Sequence, residues 1–257
     1  MSILSEIIST KKEEVLLAKA LRPLAALEQS IHFAAPTLSF KEYLTRPNST
    51  KIIAEFKRRS PSKGWFNRYA NCKEITLSYM QNRASALSIL TDSKFFGGTL
   101  EDLQVGRRYN LAPILRKDFI IDEYQVFESK ASGADGILLI AKVLSKEEII
   151  DLTKVAKSLK VDVILEIHDE DDLQKVPDND DLIIGVNNRN LETFTVDLEV
   201  SKKISKNLIG RFAISESGFK SYGDILELTT YGFKGFLIGE AFMSKISPGE
   251  ALQEFLE

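Results

Sequence analysis

Residues 52–64 read IIAEFKRRSPSKG: an apolar run, Ile52, Ile53 and Ala54, reaches Glu55, Phe56 and Lys57 and passes straight into Arg58, Arg59, Ser60, Pro61, Ser62, Lys63 and Gly64. Side chains alternate across a strand, so Glu55 and Lys57 share a face. Two charges on one face are hard to bury beneath outer helices. At the rim of a closed barrel the same face lines the mouth. The rim is the preferred reading, and it makes a parallel barrel with chemistry at one mouth the working fold.

Seven more apolar runs extend that reading. Candidate strands are 51–57, 86–91, 112–117, 135–140, 161–166, 182–187, 211–215 and 235–239, with starts roughly 20 to 35 residues apart, as a strand, loop and helix require. Helical patterning fills 145–159, 198–205 and 222–231, and Ser145 with Glu148 forms a capping box. Such alternation favours a parallel sheet. An open doubly wound sheet is the rival, but no Gly-x-Gly-x-x-Gly follows the first strand. The expected fold is α/β, a (β/α)8 TIM barrel with an N-terminal helical extension.

The extension is residues 1–50. Apolar residues at helical spacing, including Leu4, Ile8 and Val15, predict a helix over 3–21, with Lys11, Lys12, Glu13 and Glu14 on its polar side. A second short helix is expected at 38–44. Two helices before the first strand make an appendage, so residues 1–257 are read as one domain.

Composition agrees. The chain has 257 residues, 44% hydrophobic and 28% charged, near the roughly 250 residues of a single eight-fold barrel. A net charge of -3 gives no sign of a nucleic-acid surface. Lys57, Arg58, Arg59 and Lys63 form a local basic cluster that could meet an anion. Cys72 is the one cysteine, which rules out an intrachain disulfide, and with two histidines a His/Cys metal cluster is not expected. The start of the chain lacks a leader pattern, and no apolar stretch approaches the ~20 residues of a membrane span. The reading is a cytoplasmic protein with no nucleic-acid or membrane partner.

In a barrel of this kind chemistry lies at the carboxyl ends of the strands. Those ends are polar here: Glu55 and Lys57 on the first, Lys117 on the third, Glu166 and His168 on the fifth, Asn187 and Arg189 on the sixth, Glu216 and Ser217 on the seventh. Members of each pair two apart share a strand face. The run Ser215-Glu216-Ser217-Gly218 and the dipeptide Gly239-Glu240 follow the last two strands, where exposed amides bind phosphate well. Glu216, Ser217, Gly218, Gly239 and Glu240 are therefore phosphate candidates. Glu240 would act through its amide, because its carboxylate repels an anion. Ser60 adds a hydroxyl.

Each residue also has a plainer reading. Arg116-Lys117-Asp118 alone reads equally as a solvated loop with a local ion pair, Glu55 as a structural partner of Lys57, and Arg189 as pairing with Asp197 or another carboxylate. His168 reads better as a packing or hydrogen-bonding residue than as a catalyst, and a nucleophilic Cys72 is not expected. Trp65 either stacks on an aromatic substrate or anchors a lid. Recurrence at strand ends is what outweighs these alternatives jointly.

Together the segments EFKRRSPSKG (55–64), LSILTDSKFFGG (87–98), LRKDFIID (115–122), ADGILLI (134–140), LEIH (165–168), IGVNNRNL (184–191), SESG (215–218) and GEAFM (239–243) resemble the indole-3-glycerol-phosphate synthase family. The resemblance spans all eight units, and the leading helices fit the family's extension. Small departures are Arg59 before Ser-Pro-Ser, Phe219 after SESG and Phe242 in place of Leu.

The resemblance implies that 1-(2-carboxyphenylamino)-1-deoxyribulose 5-phosphate is closed to an indole with loss of carbon dioxide and water. It implies Lys117 as the acid for the ketone oxygen. Lys57 would hold the anthranilate carboxylate and serve as an acid in dehydration, with Glu55 orienting it. Glu166 would be the base assisting dehydration, Asn187 a hydroxyl ligand and Arg189 an anion ligand. Two nearby lysines are expected to lower each other's proton affinity. No cofactor or metal is expected, the partner is this anthranilate-derived sugar phosphate, and a monomer is expected.

Three rivals stand beside this. A phosphoribosylanthranilate-isomerase-like enzyme needs a Cys and Asp pair that the strand ends lack. A Schiff-base aldolase would use Lys57 or Lys117 as nucleophile. A non-catalytic sugar-phosphate-binding barrel would not need two carboxylates near an anion.

Overall fold

A computed structural model describes residues 2–178, 181–191 and 193–257. Eight parallel strands form a closed barrel: β1 (Ile52–Phe56), β2 (Ala86–Leu90), β3 (Ile114–Lys117), β4 (Gly136–Ile140), β5 (Asp162–Ile167), β6 (Ile183–Asn187), β7 (Phe212–Glu216) and β8 (Gly235–Ile238). Each overlaps one of the expected runs. Each pairs with its neighbours in chain order, and β8 closes on β1 through Ile53↔Leu237. Residues 59–60 and 64–65 form a small antiparallel hairpin in the first loop.

The strands are apolar throughout because both faces are covered, as a parallel sheet demands. One face packs inward: Ile53, Leu115, Ile164, Ile183, Ile214 and Leu237 fill the barrel with Phe40 and Leu44. The other, with Ile52, Phe56, Leu87, Leu139 and Leu165, packs against the surrounding helices.

Three helices precede β1: α1 (Ile3–Leu21), α2 (Leu24–Glu28) and α3 (Phe40–Thr45). The sequence reading had two, because α2 is a single short turn with no periodicity of its own. α3 plugs the barrel floor with Phe40 and Leu44, and its Phe40 amide donates to Asp162 at 2.8 Å. α1 crosses to the other end, where Ile3, Leu4 and Ile7 line the cavity at the mouth.

One reading of α1 is overturned. Lys11, placed on the polar side by pattern, is 3% exposed. Its ammonium meets Glu14 at 2.6 Å, Asp118 at 2.9 Å and Asp92 at 3.1 Å. Glu14 lies in α1 itself, whereas Asp118 and Asp92 follow β3 and β2, so the extension is tied to the strand ends by buried charge.

The outer helices are α4 (Cys72–Gln81), α5 (Leu100–Tyr109), α6 (Glu123–Ala131), α7 (Lys146–Ser158), α8 (Glu170–Leu173), α9 (Glu199–Ser205), α10 (Tyr222–Thr230), α11 (Glu240–Met243) and α12 (Pro248–Leu256). The expected capping box opens α7: the Glu148 amide donates to Ser145 Oγ, and the Ser145 amide donates to Glu148 Oε2 at 2.8 Å. Phe219 packs edge-on to Phe236, and Phe242 sits between Tyr79 and Phe255, so two of the three departures noted above are absorbed as aromatic packing. Among the described residues no helix is long and apolar enough to cross a membrane.

Candidate active site

Four inward-facing strand residues are followed two positions later by a charge: Ile53 by Glu55, Leu115 by Lys117, Ile164 by Glu166 and Ile214 by Glu216. The period of a strand keeps each pair on one face. The inner face therefore turns from apolar to ionic one layer below the mouth. On β6 the same alternation runs Ile183, Gly185, Asn187. These residues line a cavity of about 660 Å³, walled on its apolar side by α1 and by Leu90, Phe96, Phe119, Leu138 and Ile140.

Lys117 is at the centre of this layer. Its ammonium donates to Glu166 Oε2 at 3.1 Å and, more closely, to Glu216 Oε2. Lys57 donates to Glu55 Oε1 at 2.8 Å. Asn187 pairs in register with Glu216 and accepts from the Arg189 amide at 3.0 Å. Space is made by missing side chains: a Cβ on Gly185 would lie 2.3 Å from Glu216 Oε1, and one on Gly239 would lie 2.3 Å from Glu55 Oε1.

Glu216 is the residue that sequence reasoning placed differently. The turn signature SESG suggested a phosphate contact, yet its carboxylate is 1% exposed and bonded to Lys117. The inward alternation from Ile214 is the signal that locates it. With three carboxylates around it, Lys117 does not lose proton affinity to Lys57 as expected. Burial disfavours its charge, but Glu216, Glu166 and Glu55 outweigh burial and raise its pKa above the usual lysine value. Glu216 moves the other way from an ordinary carboxyl. Burial, opposed by Lys117 and reinforced by Glu166 and Glu55, pushes it up to about 7. Glu166 is held below the usual range: burial raises it, and Lys117, His168 and a hydrogen bond from Asn187 overcome that.

The layer above is formed by loops. Ser217, in a left-handed conformation with φ 68°, and Gly218 follow β7, and Gly239 and Glu240 follow β8; all line the cavity. Glu240 turns its carboxylate to Arg189 at 2.7 Å and toward Lys63 at 3.6 Å. This is the carboxylate partner that the plainer reading sought for Arg189, in place of Asp197. Ser60 is buried and lines the same cavity, with the Lys63 amide donating to its hydroxyl.

Several candidates fall outside. Arg58 grips Asp102 with two bonds of 2.6 Å and is not a free cation of the basic cluster, and Arg59, which donates to the Lys94 carbonyl, does not line the cavity. Trp65 lies in the hairpin against Arg59 and Arg68, away from the cavity lining, which fits the loop-anchoring reading. Cys72 is buried at the start of α4 with its thiol donating to the Asp102 carbonyl, and burial pushes its pKa up, away from nucleophilic use. His168 is behind Glu166 and does not line the cavity.

A family model described as indole-3-glycerol phosphate synthase matches residues 4–255. A protein of that name from Bacteroides thetaiotaomicron is 47% identical over 256 residues, covering 99% of this chain and 98% of its own. One from Campylobacter fetus subsp. fetus is 42% identical over 253 residues, covering 98% of both. The crystal structure of 3-hexulose-6-phosphate synthase from Salmonella typhimurium matches with a TM-score of 0.60 at 12% identity, covering 80% of this chain and 97% of that one; it shares the fold alone.

Proposed function

The chain belongs to the indole-3-glycerol phosphate synthase family, and from that premise we propose how its own residues divide the work. The reaction is a decarboxylating ring closure of tryptophan biosynthesis: 1-(2-carboxyphenylamino)-1-deoxyribulose 5-phosphate gives indole-3-glycerol phosphate, carbon dioxide and water. The substrate is a small molecule with an anion at each end.

The observation that carries the assignment is Lys117, an ammonium held at the cavity floor between Glu166 and Glu216. As the aromatic carbon attacks the ketone, charge develops on the ketone oxygen, and Lys117 donates a proton there. An alkoxide is a stronger base than an amine, so the transfer runs downhill even from a lysine with raised proton affinity. Loss of carbon dioxide restores the ring. Lys57, steadied by Glu55 at 2.8 Å, holds the departing carboxylate and then protonates the leaving hydroxyl. Glu166, kept ionised, accepts the proton released as the indole double bond forms.

Asn187 orients a substrate hydroxyl and the Glu166 carboxylate together. Glu216 balances Lys117 and, with a pKa near 7, changes charge in the working range. Ser60, Arg189, Ser217, Gly218, Gly239 and the Glu240 amide face the phosphate end. Arg189 gives up part of its pairing with Glu240 to the incoming anion. The chain works without a cofactor, as a monomer in the cytoplasm.

The test is to give the purified protein the anilino-ribulose phosphate and follow indole fluorescence between about pH 6 and 9, a range that brackets the Glu216 titration near 7. Product is expected. Its absence throughout that range contradicts the assignment, and a borohydride-trapped adduct would favour the aldolase.

A further inference from the structure

His168 follows β5, two residues past Glu166, and is absent from the cavity lining, yet its ring is buried at 7% exposure between two acids that are each 3% exposed. Nε2 is 3.3 Å from Glu166 Oε1, and Nδ1 is 3.6 Å from Asp172 Oδ2 on α8. Among the described residues neither ring nitrogen makes a hydrogen bond, so the two acids face it at ion-pair distance without hydrogen-bond geometry.

The two oxygens of Glu166 are thereby divided. Oε2 meets Lys117 on the cavity side, and Oε1 faces the imidazole behind it. Asp172 is itself fixed: it accepts from the His168 amide at 2.9 Å, and its other oxygen is 3.8 Å from Lys142. A buried ring nitrogen without a hydrogen-bonding partner is costly, and two flanking carboxylates favour a ring that donates from both nitrogens.

We propose that His168 is a positioning residue for Glu166: an imidazolium clamped between Glu166 and Asp172 that fixes the carboxylate's orientation and keeps it ionised for proton abstraction. This rests on the reading of Glu166 as the base. The charged groups facing the ring are Glu166 from β5, Asp172 from α8 and Glu216 from β7, with Lys142 beyond Asp172 and Lys117 beyond Glu166. The sum is negative on every packed side except through those two lysines. Burial lowers the ring's proton affinity, but Asp172, Glu166 and Glu216 overcome it and hold the pKa above the usual histidine value.

The experiment compares pH profiles of kcat for the wild type, His168→Gln, Glu166→Gln and the double variant. Gln keeps a donor near Glu166 and removes the charge. His168→Gln is expected to lower kcat about ten-fold, with KM within about two-fold, and to move the acid limb to higher pH, because Glu166 loses a neighbouring cation. In the Glu166→Gln background it should add little, since the two act as one unit. An unmoved acid limb, or full additivity with Glu166→Gln, overturns the proposal and leaves His168 a packing residue. Near-normal turnover by Glu166→Gln would instead sink the base assignment itself.

Should His168→Gln not fold, the wild type still decides. The chain has two histidines, His32 and His168, so imidazole 15N shifts can be assigned by His32→Gln. A doubly protonated His168 at pH 7 supports the clamp, and a neutral ring overturns it.

Discussion

Lys117 and its two neighbours in sequence enter different buried ion clusters, and the contrast separates chemistry from architecture. Lys117 points into the barrel, where Lys57 and Lys117 face Glu55, Glu166 and Glu216. Arg116 and Asp118 point outward, where Arg116 and Lys11 face Asp92, Asp118 and Glu128. Lys11 also pairs with the half-exposed Glu14, and one acid of the inner set shifts in the direction opposite to one acid of the outer set. Asp118 is pushed down to about 2: burial would raise it, but Arg116 and Lys11 dominate, and Thr91 donates to it at 2.5 Å. Glu216 is pushed up to about 7.

The difference lies in how completely the oxygens are satisfied. Asp92 accepts from the Phe95 and Phe96 amides, and Asp118 from the Phe119 amide, in addition to their ion pairs. Glu216 Oε1 in the inner set and Asp92 Oδ2 in the outer set both lack a hydrogen-bonding partner, but Asp92 Oδ2 is held 3.1 Å from the Lys11 ammonium. Closed networks hold structure, whereas an open one beside a cavity leaves charge available to a substrate.

The largest effect expected on the inner side is kinetic. Glu166→Gln should lower kcat by about a thousand-fold with little change in KM, measured by steady-state indole fluorescence. On the outer side the largest effect is thermodynamic. Lys11→Met strands Asp92 and Asp118 and should cost about 3–5 kcal/mol in urea denaturation, while the folded fraction keeps kcat. A kinetic collapse from Lys11→Met at full stability would break the comparison.

The two acids also differ in sign against pH. Glu216 has a pKa near 7 against an ordinary 4.5, so the folded state binds the extra proton and stability falls as pH rises through that window. Glu216→Gln should therefore raise the melting temperature more at pH 8 than at pH 5. Asp118, near 2 against 3.8, contributes stability present above its ordinary value and lost as pH falls toward 2. Asp118→Asn should flatten that acid limb. The smallest effect belongs to an exposed pair: Lys154→Ala, opposite Asp151 at 2.9 Å with both side chains more than half exposed, should change stability by less than about 0.5 kcal/mol.

How much of this was legible in sequence follows the same division. Strand alternation located Glu55, Lys57, Lys117, Glu166 and Asn187, because a local period decides which face they occupy. Glu216 was expected in the phosphate turn, and the strand period instead turns its side chain to Lys117. Arg116-Lys117-Asp118 combined parts of its two readings: the ion pair is real for the outer two residues but is buried and not in a solvated loop, and the middle residue faces the cavity. Lys11 was illegible, because its burial depends on Asp92 and Asp118, some eighty and more positions away in the chain. His168 could be paired with Glu166 by spacing, but not with Asp172, whose place is set by the turn into α8.

The most direct test of the central claim is Lys117→Ala, with substrate affinity and single-turnover ring closure measured on the same preparation. The account predicts binding within about ten-fold of wild type and ring closure slowed by about a thousand-fold or more. Ring closure at the wild-type rate would contradict it.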